Sequence, residues 1–113
     1  MTELYFEDIP IRCICKNKEW WFLIEDFIKG LTGSPKPMSY WSMLKKYIKY
    51  CNQENMLTSK WSALQLREFK VKNKSMDFTN KDGLFILFKN SPNDKIELMN
   101  KWLNSLDLSA LEK

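Results

Sequence analysis

Two short apolar segments open the chain. Residues 11–16 (Ile-Arg-Cys-Ile-Cys-Lys) predict a strand, and Trp20 to Ile24 is an unbroken apolar run that predicts a second. Asn17-Lys18 between them suits a tight turn, so the pair reads as a hairpin. Asp26 is placed to cap a short helix running to about Leu31, with Gly30 and Gly33 marking its end. Ser34-Pro35-Lys36-Pro37 then forms a stiff connector, because two prolines in three positions exclude a helix interior.

The pattern changes to helical spacing over about Ser39 to Gln53. Trp41, Leu44, Ile48 and Cys51 recur every three or four residues and make one apolar stripe. Met43, Tyr47 and Tyr50 form a second, partly apolar row, which if exposed is a protein-interaction patch. Residues 61–72 predict a strand in which Leu64 and Leu66 share one parity and Phe69 and Val71 the other. A β-bulge at Arg67-Glu68 would bring all four to one core. Asn73-Lys74 is the predicted turn, and Ser75 to Phe78 the return strand. Thr79 is the predicted N-cap of a buried helix to about Lys89, with Asp82 at its third position. Asn90-Ser91-Pro92-Asn93 breaks the chain before a last helix from about Asp94. That helix turns Ile96, Met99, Trp102, Leu103 and Leu106 inward. The predicted order is β-β-α-α-β-β-α-α, an α+β class in which two hairpins pack against four helices.

Composition narrows the function more than the fold. With 113 residues and 44% apolar content, the chain is expected to be one domain with one modest core. No apolar run approaches the roughly 20 residues that span a bilayer, so no membrane partner is expected. The first residues include acidic side chains and no apolar core segment, unlike a signal peptide. Cys13, Cys15 and Cys51 are an odd set with poor pairing geometry, which predicts reduced thiols and a cytoplasmic setting. There is no histidine, no nucleophile motif and no phosphate loop after Gly30 or Gly33. The expectation is a protein that is not an enzyme and needs no metal or other cofactor. Asp26, Asp77 and Asp82 read as caps and turn residues rather than catalytic carboxylates.

Charge is the strongest chemical signal. Residues 29–74 carry ten basic and two acidic side chains, a net +8, whereas the flanks carry eight basic and twelve acidic, a net −4. The overall +4 therefore conceals a cationic middle, which suits a polyanion.

The second half also carries a resemblance. Asp77-Phe78-Thr79-Asn80-Lys81-Asp82-Gly83-Leu84-Phe85 leads into Ser91-Pro92-Asn93-Asp94-Lys95 and Lys101-Trp102-Leu103. This is similar to the BRO family N-terminal domain, a module of baculovirus repeated ORF proteins, phage antirepressors and the bacterial DNA-damage-inducible protein D. Against the family signature, Pro92, Lys95, Glu97, Trp102 and Leu103 match. Earlier, Trp21-Phe22, Asp26, Leu31-Thr32, Pro37, Tyr40, Trp41, Leu44 and Lys45 fall in the family's order. The resemblance covers about residues 4–104 of a single domain at 1–113, with 105–113 as a helical extension. Three positions depart from it. Met38 stands where the family usually has arginine, Asn73-Lys74 where it often has Asp-Gly-Lys, and Asp94 replaces the signature's second proline.

The resemblance implies double-stranded DNA binding by a phage- or virus-type antirepressor or transcriptional regulator. Candidate contacts are Lys36, Lys45, Lys46 and Lys49 on the long helix and its lead-in, with Arg67, Lys70, Lys72 and Lys74 on the second hairpin. Arg67 is the only arginine in the basic region and suits bidentate recognition. Tyr40 is a candidate for stacking, whereas Trp41 reads as core. A rival expectation is a stand-alone module that inhibits a host defence or repair nucleoprotein. A host-protein partner and a homodimer belong to the same set of expectations.

Overall fold

The structure, a computed structural model, describes residues 2–53, 64–88 and 95–106. Its elements are β1 (Thr2–Phe6), β2 (Ile9–Lys16), β3 (Glu19–Leu23), α1 (Ile24–Thr32), α2 (Pro37–Gln53), β4 (Leu66–Val71), β5 (Lys74–Thr79), α3 (Lys81–Phe88) and α4 (Lys95–Ser105). The predicted α+β class holds. The two hairpins belong to one antiparallel five-stranded sheet, ordered β1-β2-β3-β5-β4. Positions 61–63 of the predicted strand, the 90–93 break and the extension beyond Leu106 lie outside the described residues.

The strand missing from the sequence reading is β1. Leu4 and Phe6 point to the core side and Glu3 and Tyr5 away from it, paired in register with Ile11, Ile9, Arg12 and Pro10. All three hairpins turn through two residues at positive φ: Glu7-Asp8, Asn17-Lys18 and Lys72-Asn73. Positive φ at both central positions fits the right-handed twist of the flanking strands. The last turn lies one residue earlier than the expected Asn73-Lys74.

The sheet buries apolar side chains on both faces. On one face, Phe6, Ile11, Cys13, Trp20 and Phe22 meet all four helices. Phe27 of α1 sits there among the rings of Phe6, Phe22, Phe88 and Trp102, with centroids 5.7 to 6.5 Å away. Truncating such a buried ring to alanine costs about 3–5 kcal/mol. On the other face, Trp21, Leu23, Val71 and Phe78 form a separate buried cluster, joined by Phe69. The expected bulge is absent for this reason. β4 pairs with β5 in unbroken register from Leu66↔Thr79 to Val71↔Lys74. Phe69 and Val71 serve the second cluster, and Leu66 is exposed at the edge.

Three aspartate and cap assignments change. Asp26 lies inside the first turn of α1 and is buried. Its carboxylate accepts from the Arg12 backbone N–H (2.8 Å), Nε (3.1 Å) and Nη2 (2.9 Å). The β2–β3 register starts at Cys13, so Asp26 serves a strand N–H that β3 does not reach. The cap of α3 is Asn80, whose Oδ1 accepts from Gly83 N at 2.9 Å, and Thr79 instead ends β5. Gly33 ends α1 at φ 67 as expected, whereas Gly30 lies within the helix against Ile9.

Candidate nucleic-acid interface

The two basic elements, far apart in sequence, pack together. Helix α2 begins with Pro37 in its first position, and its first turn contains no acid. Its stripe of Trp41, Ile48 and Cys51 is buried as expected. The indole Nε1 of Trp41 and Nζ of Lys45 both donate to Asp77 Oδ2, each at 2.7 Å. Asp77 is thus a clamp between α2 and β5 rather than a cap or turn residue. At the start of the same helix, Lys74 Nζ lies 3.2 Å from Met38 Sδ. The position where the resemblance has arginine therefore adjoins a hairpin lysine.

Lysines collect at that end of the molecule. An open groove of about 940 Å³ runs between the β1–β2 and β4–β5 hairpin ends. Its charged lining is mixed: Glu3, Asp8 and Arg12 of the first hairpin, Asp26 and Lys29 of α1, and Lys70 and Lys72 of the β4–β5 hairpin. Lys36, exposed, follows Pro35 directly and Lys74 follows the turn. Lys29 was not among the predicted contacts; its signal was its place in the last turn of α1, just before the proline-rich connector. Glu25, nearby on α1, has its carboxyl raised above the usual value by desolvation, an effect Lys74 opposes.

The remaining candidates separate. Lys45 is half-exposed but engaged by Asp77. Lys49 lies one turn further on the same flank of α2, exposed. Lys46 and Tyr40 are exposed on other sides of the helix. Arg67 pairs with Phe78 across the ladder and so lies on the sheet face opposite to Asp77 and α2. There its guanidinium stands 5.3 Å from the Trp21 ring centroid and 5.8 Å from that of Phe69. Among the described residues, no group of three or more metal-ligating side chains is clustered, and no helix is long and apolar enough to cross a membrane.

The fold is a small α+β module in which a lysine-bearing hairpin meets the start of a helix that has no acid in its first turn. The model of the BRO family N-terminal domain matches residues 10–108, and the chain belongs to that family. No curated protein and no solved structure matches the chain.

Proposed function

We propose that the chain binds double-stranded DNA through its cationic end. Lys70, Lys72 and Lys74 of the hairpin, Lys36 of the connector and Lys29 of α1 contact phosphates, and Lys49 extends the surface along α2. Family membership supports a DNA-binding module of antirepressor-like proteins. The observation that carries the reading is the 3.2 Å approach of Lys74 Nζ to Met38 Sδ, which joins the two halves of the +8 segment. The N-terminal end of α2 adds its partial positive charge to the same region. Lysines supply affinity more than base discrimination, so contacts of this kind position the protein without selecting a sequence. In this reading the chain is the DNA-holding part of a phage- or virus-type regulator, acting in the host cytosol or nucleoid.

Fluorescence anisotropy with a generic duplex tests the proposal. Micromolar binding at about 50 mM salt is expected, with log K falling steeply against log salt by about 0.9 per phosphate contacted. Lys70→Ala with Lys72→Ala weakens binding about tenfold and flattens that slope by about two contacts. Absence of binding at low salt overturns the reading.

A further inference from the structure

Helix α2 has a second exposed face. Tyr40, Met43, Tyr47 and Tyr50 are 45%, 73%, 48% and 53% exposed, and they recur at spacings of three, four and three. That spacing draws one straight row about 15 Å long on a helix that rises about 1.5 Å per residue. At about 100° per residue, the row lies on the side of α2 away from Lys45 and Lys49. It is therefore separate from the flank that faces the β4–β5 hairpin. One edge of the row runs into half-buried Leu44, and the other is bordered by Lys46, which is three residues from Met43 and four from Tyr50.

We propose that this row docks an acidic amphipathic helix from another protein, with the apolar seam of that helix on Tyr40, Met43, Tyr47 and Tyr50 and its carboxylates on Lys46. Tyrosine and methionine are the side chains that protein interfaces favour, and a 3-4-3 row is the seam one helix offers another. The occupant's charge follows from Lys46 at the edge of the row and from α2, which has no acidic side chain from Pro37 to Gln53. A second copy of the same helix would bring no carboxylate to Lys46. Nucleic acid is the poorer match, because Met43, the most exposed residue of the row, offers no donor and only a weak acceptor to a base edge. The module would then hold DNA at one end while a protein occupies α2.

Methyl-labelled methionine gives six resonances, and Met43→Leu identifies the one at the centre of the row. The probe is a synthetic Glu-rich helical peptide with leucines at i, i+3, i+4 and i+7. A peptide of the same composition, with the leucines scattered around the helix, is the control. The Met43 methyl shifts with the first peptide, shifts at least tenfold less with the second, and is unmoved by duplex DNA. Tyr47→Ser with Tyr50→Ser weakens the peptide at least tenfold and leaves duplex affinity within twofold. Equal response to both peptides reduces the face to bulk charge and overturns the proposal. So does a Met43 shift on adding duplex, a dependence of that signal on protein concentration alone, or no response at all. Failure of the duplex to bind anywhere would remove the DNA reading and leave this result standing.

Discussion

Arg67 and Trp21 face one another across the sheet surface that α2 does not cover, with the guanidinium carbon 5.3 Å from the indole centroid. The indole Nε1 is buried and has no hydrogen-bond partner among the described residues, so this tryptophan is placed for its ring. A guanidinium over such a face contributes about 0.5–1 kcal/mol at an exposed site. Arg67→Ala is expected to lower stability by about that amount in urea unfolding. Duplex affinity is expected to stay within about twofold, because Arg67 lies away from the hairpin–α2 seam. A tenfold loss of binding would place the DNA on the other side of the sheet.

Asp77 couples stability to binding with opposite signs. Its Oδ2 accepts from the Trp41 indole and from Lys45, both at 2.7 Å. Asp77→Ala leaves a buried indole N–H unpaired, which costs about 1–3 kcal/mol. It also frees Lys45 for phosphate, so the salt dependence of duplex binding steepens by about one contact. Measuring unfolding and salt-dependent anisotropy on one preparation separates the two effects. A variant that loses both stability and affinity would show that Lys45 binds DNA only when Asp77 holds it.

Much of the fold was legible because local signals agreed. The Trp20–Leu23 run, the Asn17-Lys18 turn and the Trp41–Ile48–Cys51 stripe each combine pattern with suitable chemistry. The β1 strand was not read because its turn, Glu7-Asp8, adopts positive φ without glycine or asparagine. The bulge was inferred on the premise that one sheet face is buried. With Phe69, Val71 and Phe78 clustered on the second face, a change of parity along the strand needs no extra residue. The site was half legible. Sequence found the lysines, but strand parity put Arg67 on the other face, and Asp77 engaged Lys45 from 32 residues away.

Gly83 marks a close approach that fixes how α3 leaves β5. A Cβ at this position would lie 1.7 Å from Thr79 Oγ1 and 2.9 Å from its Cβ. Thr79 cannot move aside freely, since it is fully buried and its hydroxyl donates to the Gln65 carbonyl at 2.7 Å. Gly83→Ala is expected to cost about 1–3 kcal/mol by overpacking. In the Thr79→Ala background the same change should cost less, because the Oγ1 clash is gone while the 2.9 Å approach to Cβ remains, a coupling read by a double-mutant cycle. Additive losses would locate the strain elsewhere.

Burial of Cys13 gives the fold an alkaline limit. The residue is fully buried, and desolvation pushes its thiol up to about 11 from an ordinary 9.0. Below about pH 9 both folded and unfolded chains keep this proton, and the contribution to stability is complete. As pH rises from 9 to 11, the unfolded chain releases the proton first, so stability falls. Denaturant midpoints across that window should decline, and Cys13→Ala should flatten the decline even where it lowers stability overall. An unchanged slope in the variant would assign the alkaline loss to other groups.

Met38 is the position at which the DNA-binding surface can be strengthened. It is 38% exposed beside Lys74, at the meeting point of the hairpin and α2. An arginine here adds a planar five-donor fork that can grip a phosphate with two bonds, which a lysine ammonium cannot do. Repulsion from Lys74 is weak at a solvated site, so the fold should tolerate the change within about 0.5 kcal/mol. Met38→Arg is expected to tighten duplex binding about three- to tenfold at moderate salt, with the salt slope steeper by about one contact. The gain should shrink when Lys74 is replaced by alanine, since both side chains then no longer address the same phosphate. If affinity and slope are unchanged, the hairpin–helix junction does not face DNA, and the interface must be sought along α2.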